Sequence, residues 1–220
     1  MAISIVFFVL AFPIYFGLAA QGDDNFSAST VVATYEIEGE PQYIELGSGD
    51  EFIADGDPLI LDNLHTDSID DADDMNIIGV RLTMSYTEAE EGGEGLLCQG
   101  GSAAEDTITG TTMHGDYNQT GSGSNNGNSG SHTVEVYWIS NVSLLSEETV
   151  TMSKSDIIAG IDAGDLGLGA YMAEISVDAQ AGNEPIPTCQ RSDAGEDVTY
   201  VVEIIVFEYD IKLYVDLEEL

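Results

Sequence analysis

Apolar and polar positions alternate along most of this chain with the period of two that marks half-buried strands. In Asn76–Tyr86 (NIIGVRLTMSY), Ile78, Val80, Leu82 and Met84 fall on one face and Arg81, Thr83 and Ser85 on the other. Ala170–Asp178 (AYMAEISVD) alternates as cleanly, with Tyr171, Ala173, Ile175 and Val177 set against Met172, Glu174, Ser176 and Asp178. Thr30–Glu38 and Thr133–Ser140 are rich in β-branched and aromatic residues, and the second carries the sole tryptophan, Trp138. Val198–Val215 is apolar on both faces until Glu208, which predicts a central strand bent or split near Tyr209-Asp210. One helix is predicted. Ser153-Lys154-Ser155-Asp156 has the spacing of a capping box, Ile157, Ile158 and Ile161 follow on one face, and Gly164 offers a C-cap.

The N-terminus breaks this pattern. Ile3–Ala20 (ISIVFFVLAFPIYFGLAA) is about 18 residues without a charge, the lower limit for a membrane-spanning helix. It reads either as an uncleaved anchor or as a signal peptide cut near Ala19 or Ala20. A cytoplasmic flank is rich in Lys and Arg, whereas the flank here opens Gly22-Asp23-Asp24 and the first basic residue is Arg81. The bulk of the chain is therefore expected outside a cell membrane, held by a single pass or secreted if the segment is removed. The expected layout is an anchor or signal helix over 1–21, a short polar stalk over 22–29 and one acidic β domain over 30–220.

Charge narrows the partners. The 220 residues include 41 acidic and four basic side chains, a formal net charge of -37. Such a surface repels phosphate backbones and anionic lipid headgroups, which argues against nucleic-acid and peripheral membrane binding. Cations, other envelope proteins and glycans remain. The scarcity of Lys resembles the surface chemistry of proteins from saline or marine microbes, archaea especially, where salt screens self-repulsion.

Several strands separated by Gly-, Asp- and Ser-rich turns predict an all-β fold, a β-sandwich of immunoglobulin-like or jelly-roll-like form with one short helix. The run Asp165-Leu166-Gly167-Leu168-Gly169-Ala170-Tyr171 resembles the approach to a late strand in immunoglobulin-like sandwiches. That resemblance implies a Tyr171 that bonds backward to the main chain. The two cysteines, Cys98 and Cys189, predict a disulfide in an oxidising compartment, which ties both halves into one domain.

Candidate chemistry is sparse. Asp70, Asp71, Asp73 and Asp74 offer calcium ligands, although their spacing does not match an EF-hand loop, and a solvated acidic surface is the plainer expectation. The run Gly115–Ser131 is Gly/Ser/Asn-rich and reads as a long solvent-facing loop. His114 and His132 flank it; were the strands on either side a hairpin, the two imidazoles and Asp116 would meet at its neck and could hold zinc or copper. Sequons at Asn25, Asn118 and Asn141 offer glycan sites on an exported chain. No nucleophile elbow, triad context or phosphate loop occurs, so no enzyme is expected and no cofactor beyond a possible calcium ion. Three functions compete: a non-enzymatic surface module for adhesion, envelope structure or ligand capture; a filament subunit similar to archaeal pilins, which place an apolar N-terminal helix before a β-rich head; and an extracellular metal-binding domain.

Overall fold

The computed structural model describes residues 31–87, 104–126, 130–182 and 192–214. The described strands are β1 (Val32–Glu38), β2 (Gln42–Ala54), β3 (Leu59–His65), β4 (Ile77–Thr87), β5 (Glu105–His114), β6 (Tyr117–Asn126), β7 (Gly130–Tyr137), β8 (Thr149–Ser153), β9 (Ala170–Asp178), β10 (Gly195–Val206) and β11 (Asp210–Leu213). They form three antiparallel sheets, ordered β2-β10-β4-β7, β3-β9-β5-β6 and β11-β1-β8. A single α-helix, α1 (Lys154–Ile161), and four short 3-10 turns complete the described structure. The fold is all-β. The expected 1–21 segment and 22–29 stalk lie outside the described residues. Among the described residues no helix is long and apolar enough to cross a membrane.

The core forms where the alternating apolar faces of the two four-stranded sheets meet. Val80, Leu82 and Met84 of β4 and Val202 and Ile204 of β10 are buried, as are Ala173, Ile175 and Val177 of β9. At Gly110 on β5 a Cβ would lie 2.5 Å from Met84 Cε and 2.8 Å from Leu82 Cδ2, so the sheets approach closely there and only hydrogen fits.

Three expectations from the pattern hold. The strand at 170–178 has the expected bounds. Ser153 caps α1, its Oγ accepting from Asp156 N at 3.1 Å, with Ile157 and Ile161 fully buried beneath. The helix ends at its C-cap Asp162, whose N–H donates to Ile158 O at 2.8 Å, so Gly164 is not its C-cap and instead opens the next turn. The long C-terminal apolar run splits after Val206, and β11 crosses to the three-stranded sheet. Asn76 fixes that split: its Nδ2 donates to Ile161 O and Phe207 O, each at 3.0 Å, and its Oδ1 accepts from Ala163 N at 2.9 Å.

The loop expectation fails. The Gly/Ser/Asn-rich run is not a long loop. Gly115 and Asp116 form a two-residue turn, with Gly115 at φ +56, and residues 117–126 pair along β5 as strand β6. Two of the glycines that give this segment its loop-like composition, Gly121 and Gly123, face the opposing sheet. A Cβ at Gly121 would lie 2.9 Å from Val134 Cγ2, and one at Gly123 would collide with the His132 ring.

Candidate functional site

The Gly164–Gly167 turn delivers the chain into β9, and Tyr171 Oη donates back to Gly167 O at 2.5 Å. The backward bond implied by the immunoglobulin-like resemblance is present. Burial pushes the Tyr171 hydroxyl pKa well above its ordinary value. His114, at the end of β5, stacks on Tyr171 with ring centroids 4.1 Å apart and lies 4.9 Å from Trp138. Its Nδ1 is 2.9 Å from Ala170 O and its Nε2 is 2.6 Å from Leu166 O. Each ring nitrogen faces a backbone carbonyl, and the N–H of a neutral imidazole donates to one of the two according to its tautomer.

His132 sits elsewhere. It lies on β7 opposite Met84 and packs over Gly123, which pairs with Ile108. Ile108 is six residues from His114 on the same strand, a span of about 20 Å at strand rise. Asp116 is exposed in the turn beyond His114. The structure does not bring these three residues together, because the segment between the histidines is a strand that carries His132 back along the hairpin.

Asp70, Asp71, Asp73 and Asp74 are all exposed on the connection from β3 to β4. Asp71 takes left-handed backbone angles, φ 58 and ψ 27, and Ala72 is the residue that buries itself and holds the connection down. Among the described residues, none of the four joins a group of three whose ligand oxygens all lie within 4.8 Å. Asn118 is exposed on β6. Asn141 precedes the Val142–Leu145 turn, accepting from Ser143 Oγ at 2.8 Å through its own Oδ1. Asn25, Cys98 and Cys189 lie outside the described residues.

The acidic group that does converge was not singled out from the pattern. Asp106 on β5, Asp193 just before β10 and Glu196 on β10 each offer one oxygen, and these oxygens lie within 4.8 Å of one another. Asp106 and Glu196 are each 1% exposed. Gln180 N donates to Asp106 Oδ1 at 2.6 Å, Tyr86 Oη approaches Asp106 O at 3.4 Å, and Asp106 Oδ2 is buried with no hydrogen-bond partner. The signal was register. Asp106 shares the inward face of β5 with Ile108 and Gly110, and Glu196 shares that of β10 with Val198, Tyr200 and Val202. A carboxylate in an inward register needs compensation that an exposed acid does not.

The described basic residues are engaged on the protein itself. Arg81 Nη2 and Nε reach Glu203 Oε2 at 2.7 and 2.9 Å, and the guanidinium carbon lies 3.3 Å over the centre of the Tyr43 ring. Lys212 pairs with Glu38 and Asp210, and Lys154 Nζ donates to Ile211 O at 3.4 Å. No known protein family matches the chain, and no curated protein matches it either.

Proposed function

We propose that the chain is a non-enzymatic extracytoplasmic surface module, a β-sandwich with an immunoglobulin-like tyrosine corner, serving adhesion, envelope structure or ligand capture on a microbe of saline habitat. The observation that carries this reading is the outward charge. The formal charge is -37, and Arg81, Lys154 and Lys212 are all turned to partners within the fold. The surface therefore presents an almost uniformly negative field, suited to salt-screened contact with cations, glycans or basic segments of other envelope proteins.

The test is protease treatment of intact cells expressing the full chain, followed by electron microscopy of purified surface material. Digestion of the domain without lysis, and discrete particles or an even envelope layer, support the reading. Protection until lysis defeats the extracytoplasmic placement. Filaments built from the chain would replace the module with the pilin-like subunit.

A further inference from the structure

We infer that Asp106, Asp193 and Glu196 form a buried divalent-cation site whose preferred ion is calcium. The inference is independent of the surface-module reading, because it rests on geometry at one end of the two four-stranded sheets.

Three carboxylates reach this point from different parts of the chain. Asp106 is the second residue of β5, Asp193 lies in the link before β10, and Glu196 is the second residue of β10. Their backbones are held independently of any ion. Gln180 N anchors Asp106 through Oδ1, Gly195 N donates to Asp193 Oδ1 at 3.2 Å, and Asp55 N donates to Ala194 O at 2.9 Å. Gly195 stands at φ +135, and a Cβ there would lie 2.1 Å from Ile53 O, so the link carrying Asp193 is pressed against β2. The site is built by the fold and does not depend on a mobile side chain.

A cluster of acids on a surface this acidic means little alone. What distinguishes this one is Asp106, 1% exposed, whose Oδ2 has no hydrogen-bond partner. A buried carboxylate oxygen left without a donor is destabilising, and a bound divalent cation supplies the missing partner.

Calcium fits better than magnesium because it accepts irregular sets of about six to eight oxygens, bidentate carboxylates included, whereas magnesium demands a tight octahedron and keeps its water. Three carboxylates supply three to six ligands, and water supplies the others.

The experiment is isothermal calorimetry of the full chain, freed of metal with a chelator, titrated with calcium chloride at fixed high sodium chloride and, in parallel, with magnesium chloride. One saturable calcium isotherm near one-to-one stoichiometry is expected, weakened at least tenfold in D106N and unchanged in the variant with Asp70, Asp71, Asp73 and Asp74 all changed to Asn. A non-saturating response that magnesium reproduces would reduce the effect to a diffuse ion atmosphere and overturn the site. So would a D106N isotherm identical to wild type. The sequence also holds Arg191 two residues before Asp193. If wild type binds no calcium while R191Q acquires a one-to-one site, the compensating cation is the guanidinium and the inference is wrong. Should D106N not fold, terbium luminescence of the wild type decides: emission sensitised by Tyr86, displaced by calcium and lost in Tyr86→Phe, supports the site. Emission unaffected by either change overturns it.

Discussion

The imidazole of His114 lies nearly parallel to the ring of Tyr171, with centroids 4.1 Å apart and planes 18° apart. The pair joins β5 to β9, and each partner also binds the turn that precedes β9: His114 Nε2 lies 2.6 Å from Leu166 O, and Tyr171 Oη donates to Gly167 O. Two side chains thus hold one turn, and Trp138, the residue after β7, closes the cluster.

Substitutions at this cluster should rank by what they remove. Tyr171→Phe loses one hydrogen bond and should cost about 1 kcal/mol. His114→Phe keeps an aromatic ring but removes the ring N–H available to Leu166 O or Ala170 O, which should cost about 1–3 kcal/mol. His114→Ala loses the stack and opens a cavity as well, so it should cost the most. Urea unfolding followed by circular dichroism gives the order. A His114→Ala protein as stable as wild type would mean that the cluster holds nothing together.

How much of this was legible in the sequence depended on whether glycine interrupted the pattern. β4 and β9 were visible because every second residue is apolar, and α1 because Ser153 and Asp156 carry the cap. β2 and β6 were hidden. Gly47, Ser48, Gly49 and Asp50 look like a turn, yet they lie inside β2. A Cβ at Gly49 would come 2.6 Å from Tyr200 Oη, and one at Gly47 would come 2.8 Å from Leu64 Cδ2. These glycines make room for side chains on neighbouring strands, a tertiary demand that composition cannot reveal. The same error misplaced His132, since a loop would have brought it to His114 and a strand carries it away. Asp106 and Glu196 were hidden among 41 acids, and only the strand register separates them from the solvated ones.

Arg81 and Glu203 sit directly opposite each other on β4 and β10, and the guanidinium stacks on Tyr43 of β2. The ion pair therefore spans three adjacent strands while remaining about a fifth exposed, with side-chain exposures of 24% and 18%. Arg81→Gln should destabilise by about 1.5–3 kcal/mol at most, the range for hydrogen bonds to charged groups, reduced by partial solvent screening. Arg81→Lys should not restore the loss, because a lysine cannot present two donors to Glu203 while lying flat on the Tyr43 ring. A double-mutant cycle with Glu203→Gln measures the pair directly. Zero coupling would show that Arg81 acts only through Tyr43.

Salt should stabilise this protein. A formal charge of -37 leaves repulsion between carboxylates unbalanced over most of the surface. The Debye length falls from about 30 Å at 0.01 M to about 3 Å at 1 M, which removes repulsion beyond nearest neighbours. The same screening weakens Arg81–Glu203 and Lys212–Glu38, but these pairs are few beside the unpaired acids. The melting temperature should therefore rise steadily with sodium chloride. A flat or falling curve would mean that the acidity is not a destabilising load relieved by salt.

Cys98 and Cys189 should form a disulfide in the exported protein. Both belong to segments outside the described residues, but the strands that lead into and out of those segments meet at one end of the fold. Thr87, the last residue of β4, pairs with Asp197 of β10. Thr107, near the start of β5, pairs with Asp178 at the end of β9, and Gln180 N donates to Asp106. The strand that leads toward each cysteine thus pairs with the strand that returns from the other, β4 with β10 and β9 with β5. A bond between them would close a loop of about 90 residues, for which the chain-entropy model gives about 4–5 kcal/mol. Peptide mapping of the unreduced protein by mass spectrometry should find the linked pair, and Cys98→Ser and Cys189→Ser should each lower stability by about 2–5 kcal/mol. The two variants should also be non-additive, since either one breaks the same bond. Two thiols that alkylate in the native, oxidised protein would refute the pairing outright. Additive losses in the double variant would mean that each cysteine contributes by packing alone.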